Sequence, residues 1–333
     1  KPLHGRSGGT LRVSCRAFAG GVGEVFERSG GGMAARVLCY DAAMKISRSR
    51  FVDVRGLRLH LREWGEEGLP RLYLLHGWMD ASPSFQFVVD ALAHDWHVIA
   101  PDWRGFGRSA WCGVDGYWFP DYFADLDAIL RLCEGNDDAP VRLVGHSMGG
   151  NVALMYAGIR PARVAGVLAL DAFGLPDRPA AEAPGRYQKW LASLTVRPRP
   201  RAYPSHDAVA ARRRQDNPRL SSARATWLAH ALAEAEGEGW RIAGDPVHRR
   251  VNPVLYRRAE AQACWQRITA PVLVVEPGAE PGTDHLRARI GISERFTLGD
   301  LDLAAIQRQP RDPAGRAGHP VKGSQRAAHK ERG

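Results

Sequence analysis

Between Phe51 and Val275 the apolar positions fall into short blocks of two kinds. Phe51–Arg55 and Leu57–Glu63 alternate apolar and polar residues around Gly56, the period-two pattern of a β-hairpin with one buried face. Leu72–Leu75, Val98–Ala100, Val164–Leu170 and Pro271–Val275 are apolar runs, and Val141–Val144 is broken only by Arg142; all five predict strands of a buried sheet. Helical spacing separates them. Ser82-Pro83 reads as an N-cap with proline at the first helical position, followed by Phe85, Val88, Val89 and Leu92. Tyr122, Leu126, Ile129, Leu130 and Cys133 mark one face of a second helix, and Met148–Ala157 forms a third.

Strands that alternate with helices imply an α/β fold, a mostly parallel sheet with helices on both faces. The alternation covers 44–171 and resumes over 268–290. In the interval 172–267 the strand signal stops. That stretch carries Trp190, Trp227, Trp240 and Trp265, many arginines, and helical patches such as Ala223–Ala235. It is expected to be a helical lid, inserted before the penultimate core strand and covering the sheet's carboxyl edge, where open α/β sheets bind ligands. Residues 1–43 are rich in glycine and arginine without periodicity, and disorder is expected there. Met33 and Met44 are possible starts of the folded chain. Residues 291–333 read as an irregular, degenerate tail with neither the strand nor the helix that would complete the pattern.

The net charge of +10 first suggests nucleic acid, but its distribution removes that reading. Residues 1–50 carry 9 basic and 3 acidic side chains, and residues 286–333 carry 10 and 5. Residues 51–285 are left with 27 basic and 28 acidic, a neutral body between basic ends. Neither end interleaves aromatics with its charges, so no nucleic-acid partner is expected. No run of about 18 apolar residues predicts a membrane span, and the N-terminus lacks the order of a secretory signal. Five scattered cysteines, none in C-x-x-C spacing, favour reduced thiols and a cytoplasmic location. No His, Cys and Asp cluster has metal-ligand spacing, and neither metal nor cofactor is expected.

The chemistry concentrates in Gly145-His146-Ser147-Met148-Gly149, a G-x-S-x-G turn between a predicted strand and a predicted helix. A tight strained turn would hold the Ser147 hydroxyl out into a cleft. Glycines at 145 and 149 remove side chains that would collide across it. The helix from Met148 would aim its first N–H groups at a developing oxyanion. In Leu74-Leu75-His76-Gly77-Trp78, a strand ending in His-Gly suits a loop that supplies a second oxyanion donor, the Trp78 N–H, with His76 bracing the loop. Trp78, Trp190, Trp227 and Trp265 suggest apolar walls for a pocket.

Taken together, Leu72–Asp80, the stretch Val98–Ser109 containing Asp102-Trp-Arg104-Gly105-Phe-Gly107-Arg-Ser109, and Gly145–Gly150 resemble the α/β-hydrolase superfamily over roughly residues 50–280. Within it the chain looks like the lidded serine esterase and acyl-hydrolase branch that includes the serine-hydrolase-like proteins. The resemblance implies a structural turn, not a catalytic role, for Asp102 and Arg104. It implies hydrolysis of a small-molecule acyl substrate through an acyl-enzyme on Ser147. Ser147 separates the chain from epoxide hydrolases and haloalkane dehalogenases, which carry aspartate there. The family order of serine, acid, histidine points to an acid after the strand Val272–Val275. Glu280 has the family's distance from the strand, Asp284 follows it, Glu276 is close to the strand end, and Asp171 after the preceding strand is a further candidate. The base falls to His319 in Ala317-Gly318-His319-Pro320, with His285 and His329 the other downstream histidines. A chain lacking a working base would instead be a catalytically impaired small-molecule binder of the same fold.

Overall fold

The computed structural model describes residues 44–135, 139–196 and 198–276, together with the backbone of three short strands at 23–26, 36–39 and 294–297. Its centre is an eight-stranded sheet. In chain order its members are β3 (Ser47–Val54), β4 (Leu57–Trp64), β5 (Arg71–Leu75), β6 (His97–Pro101), β7 (Val141–His146), β8 (Val164–Leu170), β11 (Val272–Glu276) and β12 (Glu294–Thr297). The spatial order is β12-β11-β8-β7-β5-β6-β4-β3. The β3–β4 and β4–β6 pairs are antiparallel and all the others parallel, so the mostly parallel α/β sheet read from the sequence is the one observed.

Local chemistry accounts for the elements. The β3–β4 hairpin closes through Arg55 and Gly56, both at positive φ (51° and 78°), as a two-residue primed turn requires. Strand β6 is buried at every position, the signature of a parallel strand covered on both faces. Helix α2 (Phe119–Glu134) begins with proline in its first turn and buries Tyr122, Leu126, Ile129 and Leu130, the stripe the spacing marked. Helix α3 (Met148–Ile159) is apolar nearly all round and correspondingly buried. The helix expected after Ser82 starts as a 3-10 turn over Ser82–Phe85 and continues as α1 (Gln86–Asp90). Ala81, not Ser82, is its N-cap, in extended conformation, and the Ser82 N–H donates to the Asp102 carboxylate at 2.7 Å.

Between β8 and β11 the chain leaves the sheet for about 100 residues. It forms helices α4 (Ala183–Leu194), α5 (His206–Asp216), α6 (Ser222–Leu232) and α7 (Arg258–Trp265). An antiparallel hairpin of β9 (Ala233–Glu236) and β10 (Gly239–Ile242) lies among them. The sequence reading extended the α6 helix to Ala235, because alanine and glutamate are good helix formers. Gly237 at φ 58° instead reverses the chain, and Trp240 bridges to Tyr203. Tertiary pairing thus overrides propensity. The segment returns to the body through Asp245, whose N–H donates to the Gly105 carbonyl at 2.7 Å.

Two further differences concern the ends. Residues 1–43, expected without structure, contain an antiparallel pair, β1 (Gly23–Phe26) with β2 (Arg36–Cys39). These are short apolar-containing runs on either side of a Gly-rich stretch, the composition of a hairpin. Residues 291–333, expected without a strand, contain β12, which pairs parallel to β11. Glu294-Arg-Phe-Thr has one apolar residue, so its place as an added edge strand comes from main-chain pairing and not from a hydrophobic pattern. Among the described residues no helix is long and apolar enough to cross a membrane.

A buried ion pair fastens α2 to the turn after β6. Arg104 donates from Nε and Nη2 to the two oxygens of Asp125 at 2.6 and 2.5 Å, and Arg55 adds a third contact at 3.1 Å. The Asp125 side chain is fully buried. Removing one member of such a pair leaves the other charge stranded and costs about 3–5 kcal/mol. Asp125→Ala is therefore expected to lower the melting temperature by roughly 6–20 °C, readable by circular dichroism. Loss of the exposed Arg131 from its pair with Asp127, as in Arg131→Ala, is expected to cost less than about 1 kcal/mol.

Candidate active site

The sheet's topology chooses the place. From β5 the chain crosses to β6 on one side and later to β7 on the other, so the loops leaving β5 and β7 part at a switch point. The loop after β5 is His76–Asp80, and the turn after β7 is His146–Gly149. Four non-glycine residues among those described have positive φ. One is the hairpin residue Arg55; the others, Met79 (58°), Ser147 (50°) and Asp171 (52°), follow β5, β7 and β8 at this same edge. Each costs on the order of 1–3 kcal/mol, and strain of this kind collects where function holds it.

Ser147 is the N-cap of α3 at φ 50° and ψ −115°. Its N–H donates to Leu170 O at 2.8 Å and its carbonyl accepts from Asn151 N–H at 3.0 Å, which fixes the bend on both sides of the residue. The glycines work as expected at 145 and differently at 149. A Cβ on Gly145 would lie 2.5 Å from Gly149 and Gly150 backbone, across the turn. A Cβ on Gly149 would strike Leu75 O at 2.1 Å, so this glycine lets α3 approach β5. The loop after β5 also lies close, since a Cβ on Gly77 would sit 2.9 Å from His146 Nδ1 and 3.3 Å from Ser147 Cβ. Trp78 and Met148, the two residues read as backbone donors, therefore flank Ser147, and all three line one cavity of about 510 Å³.

His76 is fully buried and braces that loop. Its Nδ1 is 2.8 Å from Gly77 O, its Nε2 accepts from Trp103 N–H at 3.0 Å, and its carbonyl accepts from the Trp103 indole at 3.0 Å. Burial pushes its pKa down, which keeps the ring neutral and Nε2 free to accept. Trp103 is held in turn by Asp102. That carboxylate accepts from Ser82 N–H at 2.7 Å, Arg108 N–H at 3.0 Å and the His60 ring at 2.7 Å. Burial raises the Asp102 pKa, but the His60 hydrogen bond and the other donors outweigh it and hold the group at about 2. With Arg104 engaged by Asp125, both residues serve the turn.

The remaining candidates divide by place. Asp171 follows β8 beside the Ser147 turn, its N–H donating to Val275 O at 2.7 Å. Glu276 ends β11, with only its backbone described. Glu280, Asp284, His285, His319 and His329 lie outside the described residues. Of the four tryptophans named from sequence as pocket walls, only Trp78 lines the cavity, joined by Trp118. Trp227 packs edge-on against Phe87, and Trp265 is buried in the core. Among the described residues, no group of three or more His, Cys, Asp or Glu side chains is placed to hold a metal ion.

The structure adds a histidine that the sequence did not single out. His248 lines the cavity, stacked between Phe106 and Tyr117 at ring distances of 3.6 and 3.9 Å. Burial drives its pKa down to about 3, so it is neutral at physiological pH. Its carbonyl accepts from the Trp78 indole at 3.3 Å, joining the inserted segment to the loop after β5. It sits in Pro246-Val-His-Arg, which carries no recognisable spacing.

A family model described as alpha/beta hydrolase fold matches residues 70–274, more than half of the chain. The chain belongs to this family. A serine hydrolase-like protein of Danio rerio is 39% identical over 113 residues, 33% of this chain and 33% of that protein. A serine hydrolase-like protein of Dictyostelium discoideum is 26% identical over 235 residues, 66% of this chain and 63% of that protein. The chain thus spans between a third and two thirds of the length of these relatives. Among solved structures, the thioesterase domain from the curacin biosynthetic pathway superposes with a TM-score of 0.69 at 23% identity, covering 79% of this chain and 97% of that domain. This last likeness is one of fold.

Asp102 makes acid stability a test of the site's framework. Its folded pKa of about 2 lies below the ordinary carboxylate value of 3.8, so its contribution is present above about pH 4 and is lost as the pH falls through 2. The difference is worth about 2 kcal/mol. Denaturant unfolding between pH 5 and pH 2 is expected to show this decline in the parent. In Asp102→Asn the decline should shrink by about that amount, from a lower starting stability.

Proposed function

We propose that this alpha/beta hydrolase is a serine hydrolase that cleaves a carboxylic ester or related acyl compound through an acyl-enzyme on Ser147. The observation that carries the reading is the backbone of Ser147 itself: a non-glycine residue at φ 50°, capping α3 on the wall of the cavity. A strained serine at a helix N-terminus presents its hydroxyl to a bound carbonyl. The N–H groups of Met148 and Trp78 are the oxyanion donors in this mechanism, and the α3 dipole favours the negative charge that develops there. The inserted segment 172–267 acts as the lid that closes the cavity over a small-molecule substrate.

A serine hydroxyl needs a base and an orienting carboxylate to become an effective nucleophile. Of the described histidines near the turn, His76 braces the loop, His60 pairs with Asp102 and neutral His248 is stacked between two rings, while His146 precedes the serine in the turn itself. The base in this reading is His319, and the acid is Glu280 or Asp284, with Asp171 the alternative at the sheet edge. The engagement of the first three also favours a second reading, a catalytically impaired binder of the same fold, if His319 does not reach the serine.

A fluorophosphonate probe with peptide mapping separates these readings. Labelling is expected at Ser147 and its loss in Ser147→Ala; labelling elsewhere in that variant, at unchanged rate, would remove the assignment. Turnover of a p-nitrophenyl ester should fall by something on the order of 10⁶ in Ser147→Ala if the full machinery operates. His319→Ala should then cost several orders of magnitude. An unchanged rate in His319→Ala would select the impaired binder.

A further inference from the structure

Among the described residues, the cavity that holds Ser147 is lined by two arginines and by no acidic side chain. Resting on the reading of Ser147 as the nucleophile, we propose that the substrate carries an anionic oxygen group, a carboxylate or a phosphate, which Arg186 and Arg250 recognise.

Arg186 lies on α4 and Arg250 follows the 3-10 turn Pro246–Arg249, so two distant parts of the inserted segment converge on one space. Arg186 donates from Nε to the Asn252 carbonyl at 2.6 Å. Asn252 donates from Nδ2 to Tyr117 O at 2.7 Å, which ties the arginine to the cavity wall. The Arg186 guanidinium is thus oriented by a neutral group. Among the described residues no carboxylate forms an ion pair with it, whereas Arg104, Arg71 and Arg241 each meet one. Arg250 donates to Asp115 at 2.7 Å, but that aspartate is 63% exposed and its charge is screened by water. The Arg250 side chain is only 9% exposed, and its Nε is buried without a hydrogen-bond partner.

Positive charge held in a cavity walled by Tyr117, Trp118, Phe119 and Tyr122 is poorly solvated, and it attracts an anion more strongly than it would in water. A buried polar donor left unpaired costs free energy that a ligand oxygen recovers. A guanidinium presents a planar fork that matches carboxylate or phosphate oxygens, and its charge-assisted bonds are about twice as strong as neutral ones. The cavity of about 510 Å³ is of small-molecule size, with room for an ester and an anionic tail together. A neutral ester would leave Arg186 without a counter-charge and the Arg250 Nε without an acceptor, although the other Arg250 nitrogens donate to Asp115 and Val196 O.

The test is calorimetric binding to the full chain carrying Ser147→Ala, in which an ester stays intact. Monomethyl adipate is expected to bind at least about ten-fold more tightly than dimethyl adipate, and raised salt should narrow the gap. Arg186→Gln should abolish the preference, and Arg186→Lys, a point charge without the fork, should keep part of it. Hexyl phosphate in place of the monoester identifies which oxyanion the pair prefers. Equal binding of monoester and diester overturns the inference, as does a preference that persists in a folded Arg186→Gln protein. If Arg186→Gln does not fold, the monoester–diester comparison decides alone. Because binding is read without turnover, failure of the Ser147 assignment in probe labelling remains a separate result.

Discussion

A single buried carboxylate, Asp102, fixes the carboxyl edge of this sheet. An isolated charge in a protein interior is expensive, and it persists only where donors surround it. Here three arrive from different elements: the start of the helix after β5, the turn after β6, and the ring of His60 on β4. The Asp102 carbonyl also accepts from Ser109 Oγ at 2.6 Å, and Ser109 Oγ accepts from the His60 N–H at 2.9 Å. The turn is therefore closed on both sides of the residue. From it the order passes outward through Trp103 to His76, through His76 to Gly77 and Trp78, and so to the neighbourhood of Ser147. No member of that chain needs to react for the site to depend on it.

What was legible in the sequence is what local physics determines. Buried strands announce themselves as apolar runs, and five of them were found within a residue or two of their observed limits. The turn at Ser147 was legible for the same reason, because Gly145 is required by contacts only four and five positions away. Gly149 was read for the right residue and the wrong neighbour. Its obstacle is Leu75, more than seventy positions earlier, and spacing along the chain does not report such a contact. The hairpin at 233–242 was hidden by alanines and glutamates that favour a helix until Trp240 is placed against Tyr203. His248, Arg186 and Arg250 were not singled out because cavity walls are assembled from residues with no shared period. The acid and base were named from family order, which supplies positions and not distances.

The cavity also divides by origin. Ser147, Met148, Asn151 and Trp78 come from loops and helix starts fixed by the sheet, whereas Leu175, Arg186, Val247, His248, Arg250 and Asn252 come from the segment between β8 and β11. The two parts meet through several bonds, among them Asp245 to Gly105 and Tyr117, Gly107 to Ala243, Asn252 to Tyr117, Arg250 to Asp115, Gly174 to Asn151 and the Trp78 indole to His248, and none of these is made by residues 145–149. Mutations in the inserted segment therefore disturb few of the contacts that hold the Ser147 turn. Such an arrangement leaves selectivity free to drift while the reactive geometry stays under constraint. A graft of the corresponding segment from another member of the fold, joined at the ends of β8 and β11, is the natural unit by which a new preference is acquired.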